Sequence, residues 1–140
     1  MEKDVIISIK GVQRYENADP DTMELVTAGR LEREGNSYTL SYQESELTGL
    51  EGTLTTFQIE PERITLMRVG EFNSQMVFQE GRRHMSMYNT PYGAMTIGVN
   101  TRHLLAELDD QGGEIEIDYA IEIDHSVAGR NTFQINVKEA

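Results

Sequence analysis

The sequence predicts an all-β protein, a mostly antiparallel, up-and-down β-barrel of about eight to ten strands. Three observations lead to this prediction. Apolar and polar residues alternate with a period of two along most of the chain, turn-forming Gly and Pro residues recur between these stretches, and no segment has a strong helical period. A closed barrel is favoured over an open sheet because closure removes exposed strand edges.

The clearest strand spans residues 114–124. Its odd-numbered positions are apolar, and its even-numbered positions are acidic except for Ala120. One dry face and one wet face are typical of an antiparallel strand. The same alternation predicts inward-facing side chains in four segments: Val5, Ile7 and Ile9; Tyr38, Leu40 and Tyr42; Ile115, Ile117, Tyr119, Ile121 and Ile123; and Phe133, Ile135 and Val137.

Hairpin turns are predicted where Gly or Pro interrupts the alternation, because Gly adopts positive φ and Pro presets φ at the turn entry. These turns lie at residues 34–37, 60–62, 80–81, 111–113 and 128–131. Residues 100–111 have two interpretations, a short helical turn capped by Asn100 or Thr101, or a strand beginning at Arg102. With 140 residues, the whole chain, 1–140, is assigned to a single barrel domain.

The composition limits the classes of partner. The formal net charge of −12 repels polyanions, and the Arg82-Arg83-His84 cluster is too short to bind nucleic acid by phosphate neutralisation. The chain has no cysteine, no apolar stretch long enough to span a membrane and no signal-peptide pattern at its N-terminus. We therefore expect a cytoplasmic protein with neither a nucleic-acid nor a membrane partner.

The sequence offers no catalytic signature. It has no GxSxG, P-loop or GxGxxG motif, and the three histidines lack metal-ligand spacing. Asp124, His125 and Ser126 have the residue types of a catalytic triad, but neighbours on a strand point to opposite faces. No catalytic residue, metal ligand or cofactor is therefore predicted.

Three segments together resemble one bacterial protein family. They are YQESELTGLEGTLTTFQI from Tyr42, LMRVGE from Leu66 and YNTPYGAMTIGVNT from Tyr88. Their order and spacing are similar to those of the DUF1934, or YwiB-like, family, which has a calycin-like (lipocalin-like) β-barrel. The resemblance implies that fold and a bacterial, cytosolic setting. It implies no activity, because none is assigned to the family, and the suggestion of ligand binding is an analogy with the fold.

Polar residues on the predicted dry faces are the candidate binding residues, because burial of a polar group is costly unless a partner satisfies it. Extension of the inward-facing positions places Glu44, Arg68 and Arg83 near one mouth of the barrel. Two guanidinium groups and one carboxylate could bind a small anion. A structural ion pair, or outward-pointing side chains at strand ends, explains the same residues. Further inward-facing candidates are Tyr42, Thr53, Thr55 and Thr101.

Two connections also belong to the candidate site. Tyr88 and Tyr92 flank Pro91, which breaks the ladder, so they form either a simple reversal between strands or a tyrosine-lined rim. The segment from Glu44 to Thr53 is longer than a tight hairpin, and it is either a connector or a lid over the barrel.

Three functions follow from these features. The first is binding of a small, anionic or amphipathic ligand in the barrel mouth. The alternative is a non-catalytic interaction protein or homodimeric scaffold. The third is a hydrolase or isomerase that uses Glu44 and a tyrosine. A cavity of several hundred cubic ångströms would favour ligand binding, whereas a filled barrel with an exposed apolar patch would favour the scaffold. The methionines in the middle of the chain could line such a cavity or fill it.

Overall fold

The computed structural model describes residues 1–15, 18–71, 73–90, 93–123 and 126–140, and for 87–90 it describes the backbone alone. Within these residues, ten strands are joined into a closed antiparallel barrel, which confirms the predicted fold class. The strands are β1 (Glu2–Arg14), β2 (Asp21–Glu34), β3 (Ser37–Gln43), β4 (Thr53–Glu60), β5 (Arg63–Gly70), β6 (Ser74–Phe78), β7 (Arg83–Thr90), β8 (Gly93–Asp109), β9 (Gly112–Ile123) and β10 (Ser126–Glu139).

Each strand pairs with its neighbours in sequence, and β1 closes the barrel by pairing with both β2 and β10. The connections therefore alternate between two ends of the barrel. We call the end at which β1 connects to β2, β3 to β4, β5 to β6, β7 to β8 and β9 to β10 the upper end. The lower end holds the tight turns at 35–36, 61–62, 79–82 and 110–111. Each of these lower turns overlaps a turn predicted from Gly or Pro.

The alternation along the strands correctly predicts most of the interior. The lower half of the barrel is filled by inward-facing apolar side chains, because β-branched and aromatic residues pack well on a pleated surface. Their buried members are Val5, Ile7, Leu31, Leu40, Ile59, Ile64, Phe78, Ile115, Ile117, Ile135 and Val137.

The fifth predicted turn, 128–131, is wrong. Arg130 and Asn131 lie within β10, where they pair with Ala120 and Tyr119 of β9. A register shift between Val127 and Gly129 takes up the extra residue, so the glycine belongs to a bulge and not to a hairpin. Residues 100–109 belong to the continuous strand β8, and a register shift between Thr101 and His103 marks a second bulge.

The barrel contains no helix among its described elements. In this part of the chain there is accordingly no helical segment with the length and apolar character needed to cross a bilayer.

Candidate functional site

The upper half of the barrel contains a cavity, although Tyr42, Thr53 and Thr55 of β3 and β4 are buried there and do not line it. A cavity of about 530 Å³ begins above the packed core and reaches the upper strand ends. This volume lies within the range of small-molecule sites, roughly 300–1,000 Å³. Most of its wall is apolar, from Leu66, Met76, Met95, Ile97, Ile121 and Phe133. Met76 and Met95 thus line the cavity without filling it.

Glycines on two strands help to keep this space open. Gly11 of β1 lies opposite Phe133, and a Cβ atom added at Gly11 would be 3.3 Å from the Phe133 ring. A Cβ atom at Gly129 would be 3.1 Å from the ring of Tyr15. Side chains at these positions would crowd the aromatic rings that border the cavity.

Arg68 brings positive charge to the cavity wall, as predicted from its inward-facing position on β5. It is the only Lys or Arg among the described lining residues. Its Nε atom is buried and has no hydrogen-bond partner among the residues that the structure describes. The guanidinium group therefore has donor capacity that no described side chain uses.

Glu44 lies just beyond β3 and is only 7% exposed. The Thr55 hydroxyl donates to its Oε1 at 2.9 Å, and the Thr48 hydroxyl donates to its Oε2 at 2.5 Å. Its backbone N–H donates to the carbonyl oxygen of Thr53 at 2.9 Å. Both carboxylate oxygens are thus satisfied by hydroxyl groups, and they anchor the 44–52 segment to β4.

Tyr42 interacts electrostatically with both charged groups, and it pairs with Thr55, which pairs in turn with Arg68. Burial raises the pKa of its hydroxyl well above the ordinary value of 10.0, because the phenolate would lose its hydration. The negative charge of Glu44 and a hydrogen bond with its carboxylate raise this pKa further, whereas Arg68 acts in the opposite direction. The structure therefore brings Tyr42, Glu44, Thr55 and Arg68 together in one polar cluster.

The predicted inward orientation of Arg83 is wrong. Arg83 lies on the outer face of β7, and its Nε donates to Oε2 of Glu122 across the backbone of Gly98. On the same strand Met85 is 56% exposed, whereas Ser86 is buried opposite Ile97. β7 therefore presents Ser86 to the interior and Met85 to solvent, the reverse of the face that the sequence predicts.

The remaining predicted site residues are three threonines and two tyrosines. Thr53, Thr55 and Thr101 are buried, and Oγ1 of Thr101 has no hydrogen-bond partner among the described residues. The backbone of Tyr88 pairs with Ser74 and Met95, while its side chain lies outside the described part of the structure. Tyr92 is outside the described residues altogether.

Sequence reasoning missed Asn131 as a site residue. Asn131 lines the cavity, is 7% exposed, and donates from Nδ2 to the Tyr119 hydroxyl oxygen at 3.1 Å. Its position was assigned to the incorrect turn at 128–131. The period-two pattern could have placed Asn131 inside the barrel, because this residue precedes Phe133, Ile135 and Val137 in the same series.

A second, shallower hollow of about 370 Å³ lies on the outside of β1, β2, β9 and β10. Its charged residues include Lys10, Glu24, Glu114 and Glu116. Among the described residues, no three His, Asp or Glu side chains are grouped as metal ligands. The cavity above the core is the stronger candidate site because it is larger than this outer hollow and has the buried Nε atom of Arg68 in its wall.

The comparisons with known proteins agree with this architecture. The crystal structure of the ywiB protein from Bacillus subtilis matches with a TM-score of 0.87 at 20% sequence identity, covering 99% of this chain and 93% of that one. At this identity the match establishes the fold. No curated protein matches the chain. The model of the domain of unknown function DUF1934 matches residues 7–135. The chain therefore belongs to the DUF1934 family.

Proposed function

We propose that this protein binds a small amphipathic organic anion in the cavity of the barrel. The observation that supports this proposal most directly is Arg68, a guanidinium group with an unpartnered, buried Nε in the wall of a largely apolar cavity. The acidic group of the ligand would accept from Arg68, and its apolar part would contact Leu66, Met76 and Ile97.

The energetics favour an added acceptor. An unsatisfied buried donor costs about 1–3 kcal/mol, and more when the group is charged. Both oxygens of Glu44 already accept from threonine hydroxyls, and no described acid lies within ion-pair distance of Arg68. A carboxylate can accept two parallel hydrogen bonds from one guanidinium group, which suits this position.

The experiment compares two arginine variants with the wild-type protein. The probe is 8-anilinonaphthalene-1-sulfonate, an amphipathic anion whose fluorescence rises in apolar sites, and each titration gives a Kd. Arg68→Met removes the charge inside the cavity, and Arg83→Met removes an ion-paired charge on the outer face. We expect Arg68→Met to weaken binding at least tenfold, as for loss of a charged hydrogen bond, and Arg83→Met to leave it unchanged. Equal affinity of Arg68→Met and wild type would refute the proposal.

Native mass spectrometry of gently purified protein complements the titration. A bound mass that is lost on denaturation would support the proposal and give the mass of the ligand.

An interaction scaffold is the second candidate, and it has one supporting observation. Leu54 and Val69 lie directly opposite each other on β4 and β5 and are 39% and 62% exposed on the outer face. Such a pair suits a homodimer contact. Sedimentation velocity of the wild type and Val69→Asp tests this candidate, since a dimer formed through this pair would dissociate in the variant.

A further inference from the structure

We propose that Asn131 determines the specificity of the cavity, which selects an aromatic acid with a hydroxyl group remote from its carboxylate. This inference rests on the proposed function, because it assigns the acid group of the ligand to Arg68. The inference adds a second polar contact, between Asn131 and a hydroxyl group of the ligand. This contact narrows the class of ligand from amphipathic anions to hydroxylated aromatic acids.

The barrel order places the two polar contacts on opposite walls. From β10, which contains Asn131, β5 is reached through β9, β8, β7 and β6 in one direction and through β1, β2, β3 and β4 in the other. Arg68 on β5 is therefore diametrically opposite Asn131 in the ring of strands. Both side chains line the same cavity. A ligand that reaches both must carry polar groups at its two ends.

Asn131 has unused hydrogen-bonding groups. An amide side chain has two N–H donors and a carbonyl oxygen. One donor of Asn131 is directed to the Tyr119 hydroxyl oxygen, and the structure gives its amide no other partner among the described residues. The second N–H and the Oδ1 atom can therefore donate to and accept from a ligand hydroxyl. Since the side chain is 7% exposed, such a bond would form away from bulk water.

The cavity wall between Arg68 and Asn131 can pack against an aromatic ring of the ligand. Next to Asn131, the rings of Tyr119 and Phe133 lie with centroids 5.9 Å apart and an interplanar angle of 33°. Both residues line the cavity together with Met76 and Met95. Aromatic rings pack favourably in offset or tilted arrangements, and methionine sulfur makes favourable contacts with ring edges. A ring between the acid and the hydroxyl group would use these contacts.

The test uses two pairs of acids that differ by one para hydroxyl group. The short pair is cinnamate and 4-hydroxycinnamate, and the long pair is biphenyl-4-carboxylate and 4′-hydroxybiphenyl-4-carboxylate. Isothermal titration calorimetry measures the Kd of each acid with the wild type, Asn131→Leu and Tyr119→Phe. Thermal unfolding of each variant verifies that it is folded.

We expect the wild type to prefer the hydroxylated member of at least one pair by about threefold to tenfold, the effect of one hydrogen bond. Asn131→Leu should abolish this preference while the affinity for the unsubstituted acid stays within about twofold. Tyr119→Phe should retain the preference, because it keeps the ring and the Asn131 amide.

Other outcomes overturn the inference in distinguishable ways. If the wild type binds the acids but the hydroxyl group has no effect, the role of Asn131 is wrong, and the proposed function still depends on the Arg68→Met titration. If Asn131→Leu weakens both members of a pair equally, Asn131 is structural and not a specificity determinant. Retention of the preference in Asn131→Leu with its loss in Tyr119→Phe would assign the contact to Tyr119. If the wild type binds neither these acids nor the anilinonaphthalene probe, the proposed function fails as well.

Discussion

At the scale of single residues, Glu44 illustrates how a carboxylate is accommodated inside a barrel. Burial of a charge is costly unless hydrogen bonds replace its hydration. Thr55 and Thr48 supply one hydroxyl donor to each oxygen, from a strand and from the adjoining connection. The 44–52 segment is thereby linked to β4, which favours the connector over the lid among the two sequence-based interpretations.

Thr55→Val should destabilise the protein by about 1–3 kcal/mol, because it removes the donor to Oε1 of buried Glu44 without changing the side-chain shape greatly. The matched control is Thr56→Val on the same strand, whose side chain points to the outer face and should change stability by less than about 0.5 kcal/mol. Urea unfolding of the two variants gives both free energies. Equal effects of the two substitutions would contradict this account of Glu44.

Tyr42 should make stability dependent on pH in the alkaline range. The pKa of its hydroxyl is raised in the folded state above the ordinary value of 10.0, mainly because of burial. The unfolded state therefore loses a proton near pH 10 that the folded state retains. The resulting stability is fully present below pH 10 and decreases as the pH rises through the folded-state pKa.

In Tyr42→Phe we expect a smaller loss of unfolding free energy between pH 9 and pH 11 than in the wild type. One titrating group contributes a slope of at most about 1.4 kcal/mol per pH unit. Urea unfolding across this range measures the slopes. Tyr15→Phe, at an exposed position, serves as the control and should follow the wild type. Parallel curves for Tyr42→Phe and the wild type would disprove the linkage.

Among the strands, β6 and β7 share the shortest ladder in the described part of the barrel. In the described residues, it consists of the single pair Ser74–Tyr88. The ladder between β8 and β9, in contrast, extends from Gly98–Glu122 to Asp109–Gly112. Few paired backbone groups allow local opening at low free energy.

Hydrogen exchange should therefore be faster in β6 than in β9. We expect peptides that cover residues 74–78 to exchange at least tenfold faster than those that cover 112–123, measured by mass spectrometry at neutral pH. Binding of an acid in the cavity should slow exchange in β6, since Met76 contributes to the cavity wall. Equal protection of β6 and β9 against exchange would show that β6 and β7 do not separate readily in solution.

In the molecule as a whole, the lower half of the barrel is packed and the upper half contains the cavity. Ile117 and Ile121 lie on the same face of β9, but Ile117 is fully buried in the core, whereas Ile121 borders the cavity. This division confines the cavity to one end of the barrel and leaves the packed end to stabilise the fold.

Ile117→Ala should cost about 2–5 kcal/mol of unfolding free energy, because it creates a new void in packed surroundings. Ile121→Ala should cost less than half as much, because it enlarges a space that already exists. Chemical denaturation measures both, and each variant is the control for the other. Similar losses at both positions would indicate that the upper half is packed as tightly as the lower half.

The fold class, the lower turns and the inward faces of most strands can all be derived from the amino-acid sequence alone. The reason is that a strand with one dry face leaves a period-two pattern, as in Ile115 to Ile123, and tight turns require Gly or Pro. The same pattern also placed Glu44 and Arg68 inside the barrel.

The side of β7 that faces inward, the start of β10 and the extent to which the interior is filled are apparent only in the folded barrel. These features depend on pairing between strands: Ser86 is buried because it lies opposite Ile97, and Asn131 belongs to a strand because it pairs with Tyr119. The cavity arises from the sum of side-chain volumes around a closed ring, with Gly11 and Gly129 in its upper part. The total side-chain volume cannot be obtained from any single segment, because the residues around the cavity are distant from one another in the chain.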